Sequence, residues 1–259
     1  MMTIENAAGN YLFQPGGTPY SSGVRALPGH AIRHITLMRP LPLARGIAAI
    51  AKHLTAANRP PLSLCGLELR CPAPYSFAGF AAFNKEYRGL LLQHQMLSEE
   101  PHFQGQNPIA RTNISPLAEP LTEQTIHAFS YTIPAAKPTT SASFVVSGAG
   151  ELVEAALNTS AIVRPGETSD AAMEEKAALV MSVMQSRLDA LKVDWSQVTV
   201  VNIYTRHNIT PFLQRAILQQ MGAAARMGVH WHLSQPPVTD IEFEMDMRGL
   251  AEEFYEELR

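Results

Sequence analysis

The sequence predicts an α+β fold present twice in one chain, and three observations carry that reading. The same order of elements occurs on either side of residue 138. Between the two copies, TIPAAKPTTSAS at 132–143 has the Pro, Ser and Thr content of a connection. The last two strands of each copy are joined by a short loop, where a doubly wound sheet would place a helix. The boundaries that follow are 1–138 and 139–259.

In the first copy, Leu43, Ile47, Ile50 and Leu54 form one apolar stripe at helical spacing. An extended run, LSLCGLELR at 62–70, lies between Pro60–Pro61 and Pro72/Pro74. FAGFAAFNKEYRGLLLQ at 77–93 reads as a second helix. RTNIS at 111–115 and QTIHAFSYTI at 124–133 read as strands, separated by a loop holding Pro116 and Pro120.

The second copy opens with the strand SFVVSG at 143–148 and a short extended segment, SAIVR at 160–164, before the turn Pro165–Gly166. A long helix starts near Asp170, with Met173, Ala177, Val180, Met184, Leu188 and Leu191 on one face. Its early acids, Asp170, Glu174 and Glu175, suit the positive end of a helix dipole. VTVVNIY at 198–204 is a strand, and PFLQRAILQQM at 211–221 begins a helix with Pro at an allowed first-turn position. GVHWHL at 228–233 and DIEFEMDM at 240–247 close the copy. The latter alternates, with Ile241, Phe243, Met245 and Met247 on one side and Glu242, Glu244 and Asp246 on the other, a polar face of the kind that is usually solvated. Leu250, Phe254 and Leu258 stand at helical spacing in the acidic tail LAEEFYEELR, which predicts a short helix packed on the body or on a neighbour.

Composition narrows the function. The chain has 259 residues, 46% hydrophobic and 17% charged, with a formal net charge of −3. That balance argues against nucleic acid or an anionic membrane as partner. There is no apolar run of the roughly 18–20 residues a membrane helix needs. The start, MMTIENAAGNYLF, lacks the pattern of a secretory signal. Cys65 and Cys71, not in a CxxC, fit free thiols in a reducing cytoplasm. No cofactor motif is found. His230 and His232 share a strand face and His30 and His34 lie four apart, but no acid or Cys joins them at ligand spacing, so no metal is expected.

Several segments together resemble the RidA (YjgF) family of imine/enamine deaminases. Thr18-Pro19-Tyr20-Ser21 is similar to the family's Gly-Pro-Tyr-Ser segment, and Phe80 to Tyr87, FAAFNKEY, to its Phe-x-x-x-Asn-x-x-Tyr helix pattern. Pro108-Ile109-Ala110-Arg111-Thr112 resembles its Pro-Ala-Arg-Ser/Thr. In the second copy, Val146-Ser147-Gly148 resembles the family's Ser-Gly turn. Ala225-Arg226-Met227 lies in register with the arginine motif, and Asp240 to Glu244, DIEFE, is similar to the closing Ile-Glu-Ile-Glu strand. The resemblance covers roughly 17–133 and 143–249. It implies two tandem chorismate-mutase-like domains, each a mixed sheet with two helices packed on one face. It further implies a homotrimer with six domains in two stacked rings, with a monomer that keeps only the internal interface as the alternative.

Neither copy holds a complete family site. His127 stands where the first copy would have the closing glutamate. Ala216 replaces the asparagine in the second copy, and the cysteine two residues after the arginine is Asn113 in one copy and Gly228 in the other. A composite pocket built from both copies is therefore expected, taking a small carboxylate-bearing substrate. Arg111 and Arg226 are the candidate carboxylate clamps, because a guanidinium fork holds a carboxylate in two parallel hydrogen bonds. Glu242 is the candidate for activating water. Tyr20 and Asn84 would orient the substrate, and Ser147 and Gly148 would offer a hydroxyl and a close backbone approach. His127 is either a half-buried strand residue beside Phe129 and Tyr131 or a new acid/base group. The implied reaction is release of ammonia from a carboxylate-bearing imine or enamine, an aminomuconate-type intermediate of aromatic degradation among them. A chorismatase-like activity on a cyclic enol ether and a non-catalytic ligand-binding role are the alternatives.

Overall fold

The structure is a computed structural model, described over residues 2–118, 121–136, 141–153 and 159–258. The middle of the expected connection, 137–140, lies outside the described residues. Three short strands, β1 (Ile4–Asn6), β2 (Tyr11–Gln14) and β3 (Gly23–Ala26), precede the long β4 (His30–Pro42). There follow α1 (Leu43–Ala56), β5 (Leu64–Arg70), α2 (Phe77–Gln93), β6 (Ala110–Pro116) and β7 (Thr125–Pro134). The second series is β8 (Phe144–Gly150), α3 (Asp170–Leu191), β9 (Val200–Thr205), a helical stretch at 210–221, β10 (His230–Gln235), β11 (Glu244–Gly249) and β12 (Glu253–Glu256).

All twelve strands join in the order β1-β2-β3-β8-β11-β9-β10-β6-β5-β7-β4-β12. Within it, β8-β11-β9-β10 and β4-β7-β5-β6 follow one plan. The first and fourth strands of each set pair antiparallel, the fourth and second antiparallel, and the second and third parallel. The sets meet where β10 pairs with β6 through Ser234–Pro116 and Gln235–Ser115. β3 pairs with β8, so the N-terminal strands belong spatially to the second set.

Each set has its own apolar core. Ile47, Ile50 and Leu54 of α1 and Phe80, Phe83 and Tyr87 of α2 pack with Leu67, Leu69, Ile126 and Phe129. Met173, Val180, Met184 and Leu188 of α3 pack with Phe144, Val146, Ile203 and Met245. Ser76 and Ser169 cap α2 and α3, their hydroxyls accepting from Gly79 N and Ala172 N.

Between the two sets, Tyr11, Phe13 and Val24 pack with Ile32, Cys65 and Ala110, and a buried polar cluster lies beside them. Glu244 and Asp246, expected to be solvated, are 6% and 4% exposed. Their strand is paired on both sides and faced by β6, so its polar face has no solvent to meet. Asp246 is held by Thr112 Oγ1 at 2.5 Å, Asn202 Nδ2 at 2.8 Å and Tyr204 OH at 2.9 Å. Burial and the charge of Glu68 push its carboxyl up to about 6. Burial pushes Glu68 up too, but Arg248 at 3.1 Å, His34 and Arg70 outweigh it and hold that carboxyl well below the usual range.

Three local expectations are corrected. The tail is a strand: β12 runs parallel to β4, which offers a free edge, and Arg248 and Arg33 anchor it through Glu253 and the ring of Phe254. SAIVR is a 3₁₀ turn at Thr159–Ala161 followed by a single bridge between Ile162 and Leu152. In the stretch 210–221, Leu213–Leu218 is π-helical.

Lys176 of α3 and Glu151 form an ion pair of 3.0 Å with both side chains fully buried. Glu151 also accepts the N–H groups of Glu242 and Phe243, and Lys176 donates to Val163 O, so the pair fixes the approach to β11. Removing one partner leaves the other charge stranded, at a cost of about 3–5 kcal/mol. Lys176→Met is therefore expected to lower stability by about that amount in urea unfolding, and Lys176→Met with Glu151→Gln, which keeps an acceptor for the backbone N–H groups, to recover much of it.

Candidate functional site

Arg111 lies on β6, 3% exposed, and its guanidinium is roofed by aromatic rings. The ring centroids of Tyr20, Tyr87, Phe80 and Phe83 stand 4.4, 4.8, 5.3 and 5.4 Å from its Cζ. Three of the four come from α2, where positions 80, 83 and 87 share the face turned to the sheet. The same helix supplies Asn84, whose Oδ1 accepts from Arg111 Nη2 at 2.8 Å. Arg111 Nη1 is buried and makes no hydrogen bond among the described residues.

Tyr20 is placed by the loop before β3, which is pinned to the segment leading into β6. Asn107 Nδ2 donates to Pro19 O, Ser21 N to Ile109 O, and Gly17 N to Gln106 Oε1. Ser147 closes the joint from β8: its hydroxyl donates to Ser21 O at 2.5 Å and accepts Arg111 N–H at 3.0 Å.

These groups border a cavity of about 530 Å³ with walls from both series of elements. Tyr20, Phe80, Asn84, Arg111 and Asn113 come from the first. Gly148, Arg187, Val238, Ile241 and Glu244 come from the second. Arg187 of α3 is anchored through Nη1 to the carbonyls of Ser147 at 2.8 Å and Gly148 at 3.4 Å.

Glu244 is the acid of this cavity. Burial and then the neighbouring Asp246 push its carboxyl up to about 8, against the pull of Arg187 and Arg111. It is thus protonated near neutrality, in reach of the field of a cationic clamp. A bulge in β8 opposite Met245–Met247 turns Gly148 toward it, and a Cβ at Gly148 would overlap Glu244 Oε1.

Of the residues named from sequence, the structure brings Arg111, Tyr20, Asn84 and Gly148 to the cavity. Ser147 lies just behind it with its hydroxyl already committed. The other three are corrected. Glu242 sits before β11 and turns to His207 Nε2 at 2.8 Å; the cavity carboxyl is two residues on. Arg226 is exposed on the 3₁₀ turn Gly222–Met227, bonded to Ala223 O, and falls short of β10. His127 occupies a bulge of β7 between Ile126 and Ala128, which rotates it away from the face of Phe129 and Tyr131. It points to the inter-sheet cluster, where burial and Arg70 push its imidazole down to about 4. Among the described residues no group of three or more His, Cys, Asp or Glu could hold a metal ion, and no helix is long and apolar enough to cross a membrane.

Sequence reasoning missed Glu244, Arg187 and Asn113 as cavity residues. Glu244 carried a signal, since it shares the alternating face of Glu242. Arg187 sits on the buried face of α3 and belongs to none of the motifs read from the sequence.

Arg111 and the raised carboxyl of Glu244 thus line one cavity, a pair able to meet an anion and to hold a proton. A protein-family model described as 2-aminomuconate deaminase CnbZ matches residues 3–254, and the chain belongs to this family. It is 35% identical over 246 residues, 95% of each chain, to a 2-amino-5-chloromuconate deaminase of Comamonas testosteroni. The chain is accordingly an enzyme of a deaminase family. Among solved structures, a chorismatase aligns over 88% of this chain and 77% of its own at 10% identity, with a TM-score of 0.47. A protein of Thermotoga maritima described as a putative endoribonuclease aligns over 44% of this chain and 84% of its own at 18% identity, with a TM-score of 0.28.

A carboxyl raised on folding makes the folded protein bind a proton that the unfolded chain has released. Between the ordinary glutamate value and about 8, Glu244 therefore makes stability fall as pH rises, and Asp246, raised to about 6, acts in the same direction over the lower part of that window. Urea unfolding at pH 5 and pH 8 should show a smaller loss in Glu244→Gln than in the parent, because glutamine has no proton to release. An equal loss in both would place the ionisation elsewhere.

Proposed function

We propose that this enzyme hydrolyses a 2-aminomuconate-type enamine, through its imine tautomer, to the corresponding 2-oxo acid and ammonia. The observation that carries this is the shared cavity: Arg111 presents an open, buried donor where Glu244 presents a protonated carboxyl. The family and the Comamonas testosteroni relative supply the substrate class, each being described as a deaminase of an aminomuconate.

In this reading Arg111 takes the carboxylate next to the C–N carbon, with Asn84 fixing the guanidinium plane and the aromatic roof excluding water. Glu244 donates its proton to the imine nitrogen, which makes the carbon electrophilic. Water adds to that carbon, and the resulting carboxylate of Glu244 takes a proton back from the added oxygen. Glu244 then gives that proton to the amine nitrogen. Collapse of the carbinolamine breaks the C–N bond and releases ammonia while the hydroxyl proton returns to the carboxylate, leaving the C=O. One water is consumed per ammonia formed, and Glu244 ends protonated as it began. A carboxyl with a value near the working pH suits both directions of transfer.

The duplicated strand plan supports two RidA-like domains, 1–138 and 139–259, as the origin of the chain. Because the cavity draws its walls from both halves of a single chain, the proposed chemistry does not depend on the homotrimer that the resemblance implies.

Ammonia release from freshly generated 2-aminomuconate tests the reading. Arg111→Ala should raise KM by about tenfold or more, the scale of a lost charge-assisted hydrogen bond. Glu244→Gln should lower kcat by about 10²–10⁴ with little change in KM. Release no faster than the spontaneous rate in the parent, or full activity in both variants, would overturn the proposal.

A further inference from the structure

We infer that Asn113 is a substrate-binding residue, donating through Nδ2 to a second carboxylate on a substrate whose first carboxylate lies on Arg111. The inference rests on the reading of Arg111 as a carboxylate clamp. Asn113 is 3% exposed, lines the cavity, and its Nδ2 makes no hydrogen bond among the described residues.

The orientation of its amide is fixed by neighbours. Gln124 Nε2 faces Arg70 O at 3.0 Å, and a backbone carbonyl only accepts, so that atom of Gln124 is the donor. The same Nε2 meets Asn113 at 3.1 Å, which makes the Asn113 atom there Oδ1. Tyr75 OH completes the arrangement by donating to Gln124 Oε1 at 2.9 Å. Nδ2 of Asn113 is therefore turned away from Gln124.

Arg111 and Asn113 are alternate residues of β6, so both project from one face, with stems rooted about 6.6 Å apart. That separation suits acceptors at two ends of a small molecule better than the two oxygens of one carboxylate.

Muconate and sorbate test the assignment, because they share a six-carbon diene and differ in one terminal carboxylate. Titration calorimetry on the full chain should give muconate a Kd at least tenfold below that of sorbate. Asn113→Leu should weaken muconate about tenfold and leave sorbate unchanged. Asn113→Asp, close in shape but without the donor, should weaken muconate at least as much. Equal weakening of both ligands, no weakening of either, or no binding of either by the parent overturns the inference. Turnover of 2-aminomuconate, measured alongside, separates the two proposals. Discrimination without turnover would leave Asn113 in place and remove the deaminase chemistry; turnover indifferent to Asn113 would do the reverse.

Discussion

The organising constraint of this molecule is a guanidinium buried away from water, one of whose nitrogens makes no hydrogen bond among the described residues. An isolated buried charge is costly, and the surroundings of Arg111 offset that cost only in part. Four rings offer their faces, Asn84 accepts from Nη2, and Ser147 accepts the backbone N–H. The elements that supply these contacts are those whose positions most need explaining. They are α2 against β6, the loop before β3 against 106–109, and β8 against β6. Nη1 makes no hydrogen bond among the described residues, and under the proposed function an incoming carboxylate would complete its bonding.

The second constraint is the burial of carboxylates between two sheets. Along β11, Glu244 and Asp246 lie on the polar side of a strand covered from both directions, and each is raised by burial and by another buried carboxylate. Asp246 is satisfied by three donors, whereas Glu244 looks into the cavity beside Gly148. The division of labour between the two acids thus follows from their neighbours: one carboxylate is tied up in structure, and the other is available for proton transfer.

Much of the fold was legible because it depends on local pattern. The long helix from Asp170 appears where its apolar stripe and early acids place it, and the second helix occupies 77–93 as read. The strand near 64–70 follows an extended apolar run set between prolines, and those near 125–134 and 200–205 follow β-branched runs. What sequence could not supply was set by distant pairing. The tail has helical spacing, but a free edge of β4 made it a strand. Strict alternation predicted the face of His127, and a bulge of one residue reversed it. The same holds for the site: Arg111, Tyr20 and Asn84 sit in recognisable local motifs, whereas Glu244 could be preferred to Glu242 only once β11 was known to begin at Glu244. Asn113 read as a departure from the family pattern, and its neighbour Gln124 explains why an amide stands there.

The most direct test of the account is a crystal structure of the full chain with muconate bound. One carboxylate should lie within hydrogen-bond distance of Arg111 Nη1, beneath the Tyr20 ring, with the adjacent carbon facing the carboxyl of Glu244. A ligand seated outside the cavity, or one whose carboxylate leaves Arg111 Nη1 unmet, would contradict it.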